Sequence, residues 1–133
     1  MNHEDIFKNK NSGVILLSNN DFDRNGSLLG KYGEGVVTVM FYATWCGHCL
    51  NTQPMYIKAH SICRFNNCVA TAVDCTDKDS LPGKLKNVVD KYVQGFPTLV
   101  QFKDGEFDRV YEGERTPMAL MKSITGVEEY NNE

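Results

Sequence analysis

The chain has 133 residues, of which 41% are hydrophobic and 23% are charged, and its net charge is −3. A chain of this length has room for one buried core, so we expect a single soluble domain. The weak negative charge excludes a basic surface for nucleic acid or anionic membranes, and the longest uncharged apolar stretch, residues 36–49, is too short to span a bilayer.

Both ends of the chain are polar. We predict a flexible N-terminal tail over residues 1–12, a domain over residues 13–126 and a C-terminal tail over residues 127–133. The start of the chain lacks the basic residues and the apolar run of a secretory leader. The compartment therefore stays open: cytoplasmic if the chain is full length, or the endoplasmic reticulum or secretory pathway if a leader has been removed.

Two strands and two helices are predicted in the first half of the domain. Residues 14–17 are a short apolar run that is typical of a strand, and residues 22–32 are predicted to form a broken helix. The β-branched and aromatic run over residues 36–42 predicts a central strand that is buried on both faces. Apolar positions over residues 46–62 recur at helical spacing, with a kink expected at Pro54.

The second half of the domain is predicted to end in a hairpin and a closing helix. Asp104 and Gly105 tolerate the positive φ angles of a type I′ turn, which predicts antiparallel strands on either side. Thr116 and Pro117 are a typical helix start, and Gly126 is a typical helix end. The order βαβαβαββα predicts an α/β fold with a mixed central sheet flanked by helices on both faces. The strands and helices of this half are predicted at residues 69–74, 85–92, 98–103, 107–111 and 116–126.

Cys46 and Cys49 lie directly after the central strand, at the start of the following helix. A helix N-terminus presents unpaired N–H groups and the positive end of the macrodipole, which stabilise a thiolate, so Cys46 is predicted to be the nucleophile. The two intervening residues, Gly47 and His48, bring Cys49 round one turn, where it can attack a mixed disulfide on Cys46 and release the product thiol. His48 adds a polarisable group that favours the reduced form of the pair.

A zinc site is the alternative interpretation, because Cys46-x2-Cys49 is followed by His60-x2-Cys63. If one helix connects them, Cys46 and His60 lie roughly 21 Å apart, which is too far to share a metal ion. A Cys-x-x-Cys sequence at a strand-to-helix junction is instead typical of a redox site. We therefore predict no metal and no cofactor other than the redox-active Cys46–Cys49 pair.

Four motifs together resemble the thioredoxin superfamily and, within it, a single catalytic domain of the protein disulfide isomerases. The resemblance covers nearly the whole chain and implies a thioredoxin fold, in which Pro97 follows a cis peptide bond and faces the cysteine pair. A trans proline that begins an edge strand is the alternative. The motifs are Phe41-Tyr42-Ala43-x-Trp45-Cys46-Gly47-His48-Cys49, Pro54 five residues after the second cysteine, Val73-Asp74-Cys75-Thr76, and Gly95-Phe96-Pro97-Thr98.

The resemblance implies a thiol–disulfide oxidoreductase that acts on cysteine-containing or unfolded polypeptides, with a thiol compound as redox donor or acceptor. Trp45 is expected to shield and orient the cysteine pair, and Phe96 and Pro97 are expected to line the groove that receives substrate. With His48, the reduction potential should lie nearer the isomerase value of about −180 mV than the thioredoxin value of about −270 mV. A thioredoxin-like reductase and a non-catalytic polypeptide-binding module are the alternatives.

The chain departs from the family pattern close to the site. Met40 stands six residues before Cys46, where related proteins carry a buried Asp or Glu that accepts a proton when the resolving cysteine reacts. Arg115 matches an arginine that can swing toward the resolving cysteine, so it is expected to compensate for Met40; a solvated charge at the helix terminus is the alternative.

The other three cysteines have no predicted catalytic role. Cys75 matches the first of two cysteines that some isomerase domains pair, but Val89 occupies the second position, so that disulfide cannot form. Cys63 ends the predicted helix and Cys68 begins the next strand, which leaves open a bridge between them or two reduced thiols.

Overall fold

The computed structural model describes residues 4–126 of the chain. Five strands form one sheet in the order β1-β3-β2-β4-β5. β1, β3 and β2 run parallel, whereas β4 is antiparallel to both of its neighbours, β2 and β5. This mixed sheet, covered by helices on both faces, confirms the predicted fold class. The elements are β1 Ile15–Leu16, β2 Val36–Tyr42, α1 Gly47–Cys63, β3 Ala70–Asp74, α2 Gly83–Tyr92, β4 Thr98–Lys103, β5 Glu106–Tyr111 and α3 Pro117–Thr125.

The central strand β2 separates two layers of the core. Met40 and Tyr42 point into the layer under α1 and α3, and Val39 and Phe41 point into the layer under α2. All four side chains are fully buried. Each contributes roughly 1.5–3 kcal/mol by leaving water. The double-sided burial explains why β2 is apolar at every position except Thr38 rather than alternating.

Helix α1 is tied to the sheet by a buried tyrosine. The Tyr56 hydroxyl lies 2.9 and 2.8 Å from the backbone carbonyl oxygens of Thr38 on β2 and Thr71 on β3, which share its single proton. Pro54 lies inside the helix, which continues past it to Cys63. These contacts hold α1 across the two strands that end beside the cysteine pair.

The prediction of a broken helix over residues 22–32 was wrong: the structure has no α-helix there, only a 3-10 helix, Gly30–Gly33, that begins at the end of this range. The Asp23 carboxylate accepts hydrogen bonds from two backbone N–H groups of the following turn, and Gly26 takes a φ of 86° that a helix does not allow. Phe22 and Leu28 form an isolated antiparallel bridge and are buried. The apolar residues that suggested a helix therefore cover the α2 face of the sheet from a loop.

Residues 4–12 pack against the domain, although a flexible tail was predicted there. Ile6–Lys8 is a 3-10 helix, and Phe7 is only 2% exposed. Its ring meets those of Tyr42 and Tyr56, with centroid distances of 5.0 and 5.8 Å. The prediction failed because one aromatic side chain in a polar segment occupies an apolar site beside α1. The predicted C-terminal tail, residues 127–133, lies outside the described residues.

Cys63 and Cys68 are joined by a disulfide, with their Cα atoms 5.8 Å apart. The bridge closes the turn between α1 and β3, at the end of α1 opposite Cys46. Of the two arrangements that the sequence left open, the structure adopts the bridge. Cys75 is a free, fully buried thiol.

Removal of this bridge should lower the free energy of unfolding by about 2 kcal/mol, because the closed loop restricts the unfolded chain. We expect this loss on replacing Cys63 and Cys68 with Ser in a protein that already carries Cys46→Ala and Cys49→Ala, measured by urea denaturation. Dithiothreitol should destabilise the Cys46→Ala, Cys49→Ala protein by a similar amount and leave the stability of the variant that also carries Ser at positions 63 and 68 unchanged. Equal unfolding midpoints for the two proteins would show that the bridge adds no stability.

Candidate active site

Cys46 is the residue that caps the N-terminus of α1. Its carbonyl oxygen accepts hydrogen bonds from the N–H groups of Cys49 and Leu50, at 3.1 and 3.2 Å, so the helix begins directly after it. The Cys46 thiol is half-buried and donates to the carbonyl oxygen of Phe96 at 3.4 Å. An accessible thiol therefore lies at the N-terminus of α1, the positive end of the helix macrodipole.

Cys49 lies one helical turn further on and is fully buried. The pKa of its thiol is raised to about 12: burial is the largest cause and the neighbouring Cys46 thiol adds to the rise, whereas the Ala43 N–H group and the Arg115 charge oppose it. The Ala43 N–H group lies 3.4 Å from the Cys49 sulfur. Cys49 is therefore protonated at neutral pH and must lose a proton before it can attack a disulfide.

The side chains around Cys49 supply a cation but no carboxylate at the position where related proteins carry one. Met40 is fully buried in the same core layer as Cys49. Arg115 donates to the carbonyl oxygen of Pro97 at 3.4 Å, and its charge lowers the pKa of the Cys49 thiol. The Arg115 charge thus reaches Cys49 from just before the start of α3, and much of its side chain is exposed.

Two aromatic residues stand beside Cys46. Trp45 is 56% exposed, and its ring edge meets Phe96 with a centroid distance of 5.7 Å. The Phe96–Pro97 peptide bond is cis, which confirms the predicted isomer, and Pro97 is buried. The aromatic pair and the carbonyl oxygen of Phe96 form one wall around the Cys46 thiol.

A cleft of about 420 Å³ opens next to Cys46. Its apolar lining suits the side chain of a residue close to a cysteine in a polypeptide. The charged residues of the lining are exposed, so they can contact the backbone and the polar side chains of such a polypeptide. The lining residues are Trp45, Cys46, Phe96, Val89 and Val93, together with Lys78, Asp79, Lys86, Asp90, Gln94 and Gly95.

Gly47 and His48 occupy the exposed first turn of α1 between the two cysteines. His48 faces solvent at the rim of the site, while its carbonyl oxygen accepts a hydrogen bond from the Thr52 hydroxyl at 2.8 Å. The residues of the alternative zinc interpretation do not converge. His60 lies near the far end of α1, and the sulfur of Cys63 is bonded to Cys68.

The structure therefore brings most of the predicted site residues together at one end of the sheet. Sequence reasoning missed a set of polar residues that support this site. The Thr76 hydroxyl accepts a hydrogen bond from the Thr44 N–H group at 3.1 Å, and the Trp45 indole N–H group donates to the Thr76 carbonyl oxygen at 2.9 Å. Thr76 belongs to the Val73-Asp74-Cys75-Thr76 motif, which could have pointed to these contacts, but the sequence alone suggests no role for it. The residues that lie together are Trp45, Cys46, Cys49, Phe96, Pro97 and Arg115.

Comparison with known proteins places this geometry in context. A family model described as Thioredoxin matches residues 13–126. The chain is 37% identical over 119 residues to the Thioredoxin domain-containing protein 5 homolog of Drosophila melanogaster. This match covers 86% of this chain and 26% of that protein. It is 40% identical over 115 residues to Protein disulfide-isomerase A3 of Gallus gallus, covering 85% of this chain and 20% of that protein. The chain thus spans about a fifth to a quarter of the length of these relatives.

Among solved structures, the first thioredoxin domain of mouse Protein disulfide-isomerase A4 matches with a TM-score of 0.64 and 29% identity. The match covers 87% of this chain and 76% of that domain. Within residues 4–126, none of the helices combines the length and the apolar character that crossing a membrane requires.

Proposed function

Because this chain belongs to the thioredoxin family, we propose that it is a thiol–disulfide oxidoreductase of the protein disulfide isomerase type, which forms, reduces or rearranges disulfides in polypeptides. One observation carries the proposal: an accessible thiol at a helix N-terminus, with a buried second thiol one turn away. Relatives at 37% and 40% identity, one of them named a disulfide isomerase, support it.

In the reductive direction, the Cys46 thiolate attacks one sulfur of a substrate disulfide. The substrate S–S bond breaks, its other sulfur leaves as a thiolate and takes up a proton, and a mixed disulfide forms on Cys46. Cys49 then loses its proton and attacks the Cys46 sulfur, which releases the second substrate thiol. The substrate gains two electrons, and the Cys46–Cys49 pair becomes a disulfide; the same steps in reverse form a substrate disulfide.

The direction of net flow depends on the reduction potential of the pair. His48 between the two cysteines favours the reduced pair, so we propose a potential nearer about −180 mV than about −270 mV. Equilibration in glutathione buffers, with the oxidation state of each cysteine counted by mass spectrometry, measures it directly. A value near −270 mV would instead identify a thioredoxin-like reductase.

Substrate polypeptide is proposed to lie across Phe96 and Pro97, with the side chain next to its cysteine in the cleft beside Trp45. The Phe96 carbonyl oxygen already lies 3.4 Å from the Cys46 sulfur, so a chain that contacts Phe96 brings its sulfur close to the nucleophile. Met40 keeps a binding module without turnover as a second candidate, since no carboxylate stands at that position to accept the Cys49 proton.

The Cys49→Ala variant should accumulate mixed disulfides with unfolded polypeptides, because Cys46 still attacks and no resolving thiol follows. We expect the adducts on non-reducing gels, with mass spectrometry placing them on Cys46. The matched control, Cys46→Ala, should give none above background. Equal adduct formation by the two variants would contradict the proposal. A protein that binds polypeptide equally well with both cysteines replaced, and exchanges no disulfide with either present, would be the binding module.

A further inference from the structure

A series of polar contacts connects the N-terminal segment to the end of β3. The Lys8 ammonium lies 3.0 Å from Oδ2 of Asp74. The other carboxylate oxygen, Oδ1, accepts two hydrogen bonds from Thr76, from its backbone N–H group at 2.9 Å and its hydroxyl at 2.5 Å. Each oxygen of Asp74 thus has its own donor, which fixes the orientation of the carboxylate.

From Thr76 the contacts continue to the two residues that precede Cys46. The Thr76 hydroxyl oxygen accepts from the Thr44 N–H group at 3.1 Å. Its carbonyl oxygen accepts from the indole N–H group of Trp45 at 2.9 Å. This is the only polar contact of the Trp45 side chain that the described residues show, and the rest of the ring is largely exposed. Thr76 therefore fixes the polar edge of the indole, while Phe96 contacts its ring.

Lys8 is held in place although its side chain is 58% exposed. Phe7, directly before it, is buried against Tyr42. The Asp5 carboxylate accepts from the Tyr42 hydroxyl at 2.6 Å and from the Gln53 amide at 2.9 Å. The segment that carries Lys8 is thus anchored to β2 and α1 on either side of the cysteine pair. It lies outside residues 13–126, which the family model matches.

We propose that Lys8 is a positioning residue for Trp45 and Cys46, and that it acts through Asp74 and Thr76. The inference deepens the proposed function, because it names a residue that sets the reactivity of the same thiol. The lysine completes the contacts of the Asp74 carboxylate, the carboxylate fixes Thr76, and Thr76 fixes the turn from which Cys46 begins α1.

The test uses the full chain with Cys49→Ala, so that Cys46 is the accessible free thiol. Lys8→Met should change the rate at which Cys46 reacts with a chromophoric aromatic disulfide by roughly two- to fivefold, the range of an exposed ion pair such as Lys8–Asp74, the shorter of its pairs with Asp74 and Asp5. The chain has one tryptophan, so its fluorescence anisotropy reports on Trp45 alone and should fall in the same variant. Lys10→Met, an exposed lysine two residues away, is the control and should change neither quantity. Lys8→Arg should restore both.

A double-mutant cycle distinguishes positioning through Thr76 from a general electrostatic effect of one charge. Thr76→Val removes the hydroxyl that bonds Thr44 and Asp74, and Lys8→Met should then have no further effect on the rate or the anisotropy. Additive effects, or a Lys8→Met protein that behaves like Lys10→Met, would overturn the inference. Neither readout requires turnover of a polypeptide. A Lys8 effect in a protein without disulfide exchange on polypeptides would therefore contradict the proposed function and leave this inference standing.

Discussion

Release of a thiol from a mixed disulfide on Cys46 should accelerate about tenfold per pH unit between about pH 6 and pH 10. The attacking species is the Cys49 thiolate, and burial raises the pKa of that thiol to about 12. Below its pKa, the thiolate fraction rises tenfold for each unit of pH. When Cys46 is part of the mixed disulfide, it no longer raises the pKa of Cys49, but burial, the largest cause of the raised pKa, persists.

The rate can be measured by loading Cys46 with thionitrobenzoate and following the released chromophore after a pH jump. The Cys49→Ala protein should retain the adduct over the same time, which controls for hydrolysis. A rate that levels off near pH 8 would mean that Cys49 ionises like an exposed thiol, and the role of burial would then be wrong.

Met40→Glu should accelerate release near neutral pH by on the order of 10², a typical contribution of a positioned proton acceptor. The carboxylate would lie in the core layer of Cys49 and take its proton, so the pH dependence should flatten above the pKa of the new acid. Met40→Gln adds a polar side chain of similar size without a basic group and should leave the steep dependence unchanged. If Gln and Glu give the same profile, proton transfer to residue 40 is excluded.

Asp5→Ala should lower the free energy of unfolding by about 3 kcal/mol, a large loss for a residue of a polar N-terminal segment. The Tyr42 hydroxyl and the Gln53 amide both donate to its carboxylate, and both side chains are at most 1% exposed. Without Asp5 these two buried donors lose that acceptor, and the loss of a buried partner carries the full desolvation penalty.

Urea denaturation of Asp5→Ala beside Glu4→Ala tests this expectation, because Glu4 is the exposed neighbour with the same charge. Glu4→Ala should change stability by less than about 0.5 kcal/mol. Adding Tyr42→Phe to Asp5→Ala should recover part of the loss, since it removes one of the unsatisfied donors. Matching stabilities of the two single variants would show that the Asp5 contacts contribute nothing.

Local patterns were sufficient to predict the elements that form the site. Residues 36–42 are almost all apolar because β2 is buried on both faces, and the length and apolar spacing of the segment after Cys46 predicted its helix, although α1 buries mainly other residues of that segment. The hairpin followed from Asp104 and Gly105, which take φ angles of 50° and 86°. Each of these features depends on residues that are close together in the chain.

The failures concern residues whose partners are far away in sequence. Asp5 bonds residues 37 and 48 positions later, and Lys8 pairs with Asp74, so nothing in the first twelve residues reveals an ordered segment. The apolar residues of the loop over residues 22–32 suggest a helix in the sequence, but Phe22 and Leu28 are apolar because they are buried against the sheet. Arg115 was predictable only from the family resemblance, because its effect on Cys49 depends on how α3 packs.

The sheet order leaves two edges, and both are poor templates for another strand. β1 has only two residues, too few to recruit a partner strand. β5 is longer, but its exposed part carries Glu106, Asp108 and Arg109. Charged side chains along an edge disfavour the approach of a second backbone. A domain that is proposed to act on unfolded polypeptides thus offers them the cleft beside Cys46, while the edges of its sheet disfavour backbone addition.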